Sequence, residues 1–461
     1  MKLKKTHERI FWVGITALLL TLVVLLSFSP RVLATGFEAE TQRQLGLFYE
    51  VLRFVQDNYV DEEAVAPELL MEGALKGMFE ALGDPHSAYL SREEMRDLND
   101  TTTGRFGGVG LIISKVERGA EVVSPIEDTP AYRAGITAGD IIIAIEDESI
   151  LDFTIDEVVK VLRGEPGAPV RVTIQRGKTL TFDVTIVRAM IEVPTVKRTM
   201  IDGDIAYLRI IQFTPLTPEK VREAVDFFGQ KNYRSLIIDL RSNPGGLLAS
   251  VIDVADYFVS RGPIVSTRGR VEAENHVFYA SQRETIVPSD LPVVVLINRG
   301  SASASEILAG ALKDTGRARL MGETSYGKGS VQQIKGIGEA GFRLTMSRYY
   351  TPSGVSIDKT GIAPDTEIKE PELTEEEEAS FTRLIEGDYV ALFVEENPEP
   401  GEAEIIAFID SLLDEEIVLS SRIIRRLVRN ELNRTNNNPP LYDLEFDLVL
   451  KEAVDALRPG N

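Results

Sequence analysis

At 461 residues the chain is too long for one compact core and is expected to hold two to four domains. Its net charge of −22 argues against a nucleic-acid partner, which requires a basic face, while 43% apolar and 26% charged residues are ordinary for globular protein. There is no cysteine, so disulfides, zinc–thiolate sites and cysteine nucleophiles are excluded. The three histidines are His7, His86 and His276, and His7 lies in a basic N-terminal stretch, so a three-histidine metal site is excluded and no HExxH occurs. Neither a metal nor a cofactor is expected.

Lys2, Lys4, Lys5 and Arg9 precede an apolar run from Ile10 to Phe28, long enough to cross a bilayer core as a helix. Positive charge before the run predicts a cytoplasmic N-terminus, and Val32-Leu33-Ala34 offers a signal-peptidase site. Residues 1–36 therefore read as a cleaved signal or a single-pass anchor, the anchor being preferred. Either way the rest of the chain is expected to be exported, as a membrane-anchored, periplasmic or secreted protein. Residues 37–103 read as helical from Leu45, Phe48, Leu52 and Val55 and then Leu69, Ala74, Met78 and Leu82, with a break at Gly83-Asp84-Pro85 and a linker at Thr101-Thr102-Thr103-Gly104.

From residue 104 to 189 the pattern changes to short strands at 109–113, 141–145 and 170–174, with helices near Pro130–Ala134 and Thr154–Leu162. From 190 to 370 strands and helices alternate. Leu236–Leu240 and Val293–Ile297 are nearly continuous apolar runs, as in strands covered on both faces, and each is followed by a glycine-containing turn and a helical stretch. Residues 371–461 read as helices, with Glu375–Glu378 as a solvated helix start and a break at Asn436–Pro440.

Ser303 lies in Gly300-Ser301-Ala302-Ser303-Ala304-Ser305-Glu306, just before a helix candidate that stops at Gly316. Lys328 follows 25 residues later, between Gly327 and Gly329, with Gln332 four residues beyond. A hydroxyl needs a base to act as a nucleophile near neutral pH, and with so little histidine a lysine is the economical choice. Such a lysine must be uncharged, which requires a dry pocket without a nearby carboxylate. Gln332 could hold the amine without restoring its charge. The N–H of Ala304, with that of Gly245 or Gly246 in Asn243-Pro244-Gly245-Gly246, could stabilise an oxyanion. Ser301 and Ser305 remain rivals to Ser303 on pattern alone. The phosphate-loop alternative fails, because Gly322-x-x-x-x-Gly327-Lys328 is followed by Gly329 rather than Ser or Thr.

These segments resemble the carboxyl-terminal processing, or tail-specific, proteases, serine peptidases with a Ser–Lys dyad. Four ordered motifs carry the resemblance over about residues 45–370: Asp84-Pro85-His86-Ser87-Ala88-Tyr89-Leu90, Asp239-Leu240-Arg241-Ser242-Asn243-Pro244-Gly245-Gly246, Gly300 to Ile307, and Tyr326 to Gln333. It implies Ser303 as nucleophile, Lys328 as general base and Gln332 as the residue orienting the lysine. His86 and His276 are then not catalytic. Together with the segments read above, it gives an expected α/β and α+β multidomain protein: a membrane-targeting helix (1–36), a helical region (37–103), a PDZ domain (104–189), a crotonase/Clp-like peptidase core (190–370) and an acidic helical region (371–461).

In the PDZ segment Gly107, Gly108, Val109, Gly110 and Leu111 are expected to form the carboxylate-binding loop, and Arg163 resembles a position that couples the PDZ to the active site in some family members. The expected activity is endopeptidase cleavage of exported proteins near apolar C-terminal tails. The helical ends are candidates for homo-oligomer contact, and an adaptor protein is a further candidate partner. Competing classes are an inactive membrane-tethered PDZ scaffold, a trypsin-like protease, which would place its PDZ after the catalytic domain and carry Gly-x-Ser-Gly-Gly, and an acyl-thioester hydrolase, which would need no PDZ.

Overall fold

The structure is a computed structural model, and it describes residues 31–126, 129–137, 139–177, 180–369, 373–435 and 440–458. The apolar run at 10–28 and the break at 436–439 lie outside these residues. Among the described residues no helix is long and apolar enough to cross a membrane. The chain divides into two compact units, residues 1–89 and 90–461.

In the first unit the helical periodicity resolves into α1 (Arg31–Asn58) and α2 (Pro67–Glu80). Proline at the first position of α2 suits a site where its missing N–H has no intrahelical role. Leu45, Phe48, Leu69, Met78 and Leu82 stay exposed. Asp84 accepts the His86 N–H and the Ser87 hydroxyl, which closes the turn after α2.

The second unit opens with α3 (Arg92–Thr103). The expected linker at 101–104 is instead the end of this helix and its cap. Ser91 and Glu94 form a reciprocal capping box that starts the helix, the Thr102 and Thr103 hydroxyls bond back to the carbonyls of Leu98 and Asn99, and left-handed Gly104 ends it. The threonine hydroxyls thus find acceptors inside the helix itself, in its last turn before the glycine cap.

A two-stranded ribbon, β1 (Arg105–Gly108) with β7 (Ala189–Glu192), brackets the β-rich segment. Between them β2 (Leu111–Val116), β3 (Gly119–Pro125), β4 (Ile141–Ile145), β5 (Pro169–Arg176) and β6 (Leu180–Val187) form an antiparallel sheet in the order β2-β3-β4-β5-β6. Helix α4 (Ile155–Leu162), capped by Thr154 and Glu157, buries Val158 and Leu162 in the core of this segment. Among the described residues β2 is an edge of the sheet, beside α4.

The larger core is built on a six-stranded sheet, β8 (Val196–Ile201), β9 (Ile205–Ile210), β10 (Ser235–Asp239), β13 (Val293–Ile297), β14 (Arg319–Gly322) and β17 (Thr366–Glu367), in that order. All neighbours after the β8–β9 hairpin are parallel. The continuous apolar runs have their physical reason in the two faces. Leu236, Ile238, Val293, Val295 and Ile297 join a core with α5 (Thr217–Gln230), α6 (Leu248–Asp256) and α7 (Ala304–Asp314). The alternate residues Ile237, Val294 and Leu296 join another with α12 (Leu448–Leu457). A further sheet carries β11 (Pro263–Gly269), β12 (His276–Tyr279), and the hairpin β15 (Ser330–Ile337) and β16 (Ala340–Tyr350). Helices α8 (Glu375–Glu386), α9 (Tyr389–Glu396), α10 (Glu402–Asp414) and α11 (Ser421–Thr435) have their own core, and the Glu375–Glu378 run is the first turn of α8, where carboxylates favour the helix dipole.

Candidate active site

Strands β10, β13 and β14 are neighbours and parallel, so the loops that follow them leave the sheet on one edge. Those loops carry Asn243–Gly246, Ser303 and Lys328. The chemistry read from three distant segments therefore converges at the carboxyl ends of adjacent strands, where open α/β sheets bind ligands.

The three serines separate by their partners. Ser301 is buried and its hydroxyl donates to the Leu240 carbonyl at 2.8 Å. Ser305 is buried and its hydroxyl donates to the Asn243 carbonyl at 3.0 Å. Both hold the nucleophile turn to the loop after β10. The Ser303 hydroxyl makes no capping bond to α7, and its backbone stands at φ 54° and ψ −113°, a left-handed setting that serine rarely adopts. Strain of this kind, at the start of a helix, is a feature of sites that present a side chain.

Gly245 makes this turn feasible. Its φ is +102°, and a Cβ there would lie 2.7 Å from the Ala302 carbonyl, 2.8 Å from the Ser303 Cβ and 2.9 Å from the Ala304 nitrogen. The Gly245 N–H is committed to Asn243 Oδ1 at 2.9 Å. Of the three expected oxyanion donors, Ala304 and Gly246 have amides that make no backbone hydrogen bond in this turn among the described residues.

Glu306 is the residue that pattern reading passed over. It is fully buried, in the first turn of α7. One carboxylate oxygen accepts the Ser325 hydroxyl and the Gly327 N–H, both at 2.6 Å. The other accepts the Ser303 N–H at 2.8 Å and the Lys328 N–H at 2.9 Å. A single carboxylate therefore binds the backbones of both dyad residues. Burial pushes its pKa up, against these four donors. The spacing Ser303-x-x-Glu306 is a capping-box signature and was the available signal.

The expectation of a lysine pocket without a carboxylate is corrected by this arrangement. Glu306 is beside Lys328 but is saturated by other donors, and it touches the lysine through its backbone N–H. The Lys328 amine makes no hydrogen bond or ion pair among the described residues. Its pKa is lowered, first by burial and then by the Arg343 guanidinium, with Glu306 acting in the opposite direction. Arg343 lies on β16 opposite Ile334, and its Nε is buried without a hydrogen-bond partner.

Gln332 is on β15, where its amide nitrogen donates to the Ser330 hydroxyl at 2.8 Å and the Thr345 hydroxyl at 3.3 Å. The structure places it on the hairpin that adjoins Lys328 without a bond to the amine.

In the β-rich segment Gly107 and Gly108 belong to the β1–β7 ribbon, and Val109, Gly110 and Leu111 lead into β2. The Val109 carbonyl accepts the Ala131 N–H, and the Gly110 carbonyl accepts from Ile126 and Thr129. Arg163 caps α4 and stacks over Phe106 at 4.8 Å. It pairs with Asp97 at 3.1 Å and Asp100 at 4.0 Å, and Lys160 pairs with Glu93 at 2.6 Å. Both contacts tie α4 to α3 rather than to the loop of Lys328. Among the described residues no group of three or more His, Asp or Glu is arranged to hold a metal ion.

Three family models match parts of the chain. Peptidase family S41 matches residues 204–368, the PDZ domain matches 121–176, and the activating protease CtpB N-terminal domain matches 33–94. The chain is 42% identical over 368 residues to the carboxy-terminal-processing protease of Bartonella bacilliformis, covering 78% of this chain and 82% of that one. It is 33% identical over 341 residues to carboxy-terminal processing protease CtpB of Bacillus subtilis, covering 73% and 70%. Among solved structures it is similar to a photosystem II D1 C-terminal processing protease, with 28% identity, a TM-score of 0.43, and coverage of 70% of this chain and 92% of that one. The chain therefore belongs to the carboxy-terminal processing proteases, serine-type peptidases of family S41 that carry a PDZ domain.

Proposed function

We propose that the chain is an active endopeptidase that cleaves exported proteins near their C-termini through an acyl-enzyme. The observation that carries the reading is the Glu306 carboxylate, which binds the backbone N–H of Ser303 and of Lys328 at once and so sets nucleophile and base in one frame. In the proposed reaction the uncharged Lys328 amine takes the Ser303 proton as the hydroxyl oxygen attacks the substrate carbonyl. The Ala304 and Gly246 amides receive the oxyanion. On collapse the ammonium returns a proton to the leaving amine, and the C–N bond breaks. Water then repeats the sequence against the ester, with Lys328 again as base.

The apolar tail of the substrate is proposed to add as a strand along β2, beside α4, with its terminal carboxylate at the Val109–Leu111 loop. Coupling to the peptidase is proposed to run through α3. On one side α3 takes the Arg163 and Lys160 ion pairs from the PDZ; on the other it meets the β15–β16 hairpin, where Arg92 pairs with Glu339 at 3.0 Å. Gln332 is on that hairpin and is proposed to reach the lysine amine when substrate engages. The apolar run at 10–28 is proposed as the export signal or membrane anchor, and the helical ends as sites for a second copy or an adaptor.

The experiment is degradation of model proteins that differ only in their last residues, by wild type, Ser303→Ala and Lys328→Ala. Both variants should lose cleavage and keep tail binding. Wild-type turnover by Ser303→Ala would reject the nucleophile, and absence of cleavage by wild type would favour the PDZ scaffold.

A further inference from the structure

The peptidase match ends at residue 368, yet the active-site loop is held by a residue far beyond it. Asp239 ends β10 and is fully buried. Its carboxylate accepts the Tyr207 hydroxyl at 2.7 Å, the Arg241 N–H at 2.9 Å, and the Arg241 guanidinium at 3.0 Å through Nε and 2.6 Å through Nη2. The other edge of that guanidinium makes a bidentate pair with Asp447, Nη1 to Oδ1 at 2.8 Å and Nη2 to Oδ2 at 2.7 Å. Asp447 is the N-cap of α12, and its Oδ1 also accepts the Leu450 N–H at 2.9 Å.

Behind this cap, α12 is seated on the sheet. Val449, Leu450, Ala453 and Val454 are buried against Ile237, Val294 and Leu296, and the Tyr442 ring lies 6.2 Å from that of Tyr207. Arg241 is therefore clamped between the end of β10 and a helix fixed to the opposite face. Immediately after Arg241 come Ser242, at φ 57°, and Asn243, which is fully buried. Asn243 holds the nucleophile turn through its carbonyl and the Gly245 N–H through its side chain. A rigid, bidentate arginine at the root of this loop fixes where the Gly246 amide stands.

We propose that Asp447 is a positioning residue for catalysis, acting through Arg241 on the oxyanion loop. The C-terminal segment 442–457 is then part of the catalytic apparatus, although it contributes no reacting group. This rests on the reading of Ser303, Ala304 and Gly246 given above.

The test compares Asp447→Asn, Asp447→Ala and Asp447→Glu in the full chain. The readouts are kcat and KM on a tailed peptide, the rate of Ser303 labelling by a fluorophosphonate, affinity for a peptide boronic acid that places an oxygen in the oxyanion site, affinity for the tail peptide, and melting temperature. A displaced oxyanion donor is expected to lower kcat and boronate affinity together by about tenfold to a hundredfold in Asp447→Asn, with KM and tail affinity unchanged. Asp447→Glu should recover part of the loss. If melting temperature falls while kcat of the folded fraction and boronate affinity hold, Asp447 is only structural and the proposal is overturned. Asp447→Asn keeps an oxygen for the Leu450 cap, so it reports even if Asp447→Ala fails to fold. Wild type that does not label at Ser303 overturns the underlying reading, a result distinct from wild-type labelling that persists unchanged in Asp447→Asn.

Discussion

Replacing Glu306 separates the burial of a carboxylate from its use. In Glu306→Ala four donors lose their acceptor: the N–H groups of Ser303, Gly327 and Lys328 and the Ser325 hydroxyl. A buried donor left unsatisfied costs about 1–3 kcal/mol, so four would cost roughly 4–12 kcal/mol if the space stayed dry. Water entering the vacated volume recovers part of this, which brings the expected loss to about 3–5 kcal/mol. Glu306→Gln keeps one acceptor oxygen for Ser325 and Gly327, but turns an NH2 group toward the Ser303 and Lys328 amides. Its expected cost is about 2–4 kcal/mol. That variant should remain folded, since domains commonly have about 5–15 kcal/mol in hand. The assay is urea denaturation followed by circular dichroism, alongside the rate of Ser303 labelling. Both quantities should fall in Glu306→Gln, because one group sets both backbones. A Glu306→Ala protein within about 0.5 kcal/mol of wild type and labelling at the wild-type rate would refute the reasoning.

Three further outcomes follow from the geometry. Arg343→Gln removes the positive charge that opposes protonation of Lys328, so the rising limb of the kcat/KM profile, set by deprotonation of Lys328, should move to higher pH, and Arg343→Lys should leave it nearly in place; an unchanged limb in Arg343→Gln would sever the link. Lys328→Met should raise the melting temperature at neutral pH. The folded lysine has a lowered pKa, so the unfolded chain binds more protons, and the wild-type penalty is present at neutral pH and fades as pH rises toward the ordinary value of 10.5; a gap that widens with pH would contradict this. Gly245→Ala must strain a backbone at φ +102° and push a methyl against Ala302, Ser303 and Ala304, so it should cost about 1–3 kcal/mol and most of the kcat, read by melting and turnover.

Much of the site was legible in the chain because its chemistry sits in short local motifs. The apolar runs at 236–240 and 293–297 marked two of the strands, and the turns after them carried Gly245 and Ser303. What stayed open was set by distant partners. Ser301 and Ser305 could not be dismissed from their neighbours, since the carbonyls that occupy them belong to Leu240 and Asn243. Gly107 and Gly108 of the expected PDZ loop pair with Met190 and Ala189, more than 80 residues on, which no local pattern shows. The threonine run at 101–103, expected as a linker, continues the helix that the Ser91–Glu94 box starts, up to left-handed Gly104. Glu306 was visible as a capping-box spacing, but its second use, gathering the Lys328 loop, depends on the β14 crossover. The Arg241–Asp447 clamp joins residues 206 apart and left no local mark.

Lys328 and Ser303 are most directly tested by the pH dependence of Ser303 labelling with a small fluorophosphonate, in wild type and Lys328→Ala. Wild type should show one rising titration with its midpoint below 10.5, and the variant should lose that rise and label far more slowly. A rate that climbs only above 10.5, or one that is the same with and without the amine, would contradict the assignment of a neutral lysine as the base.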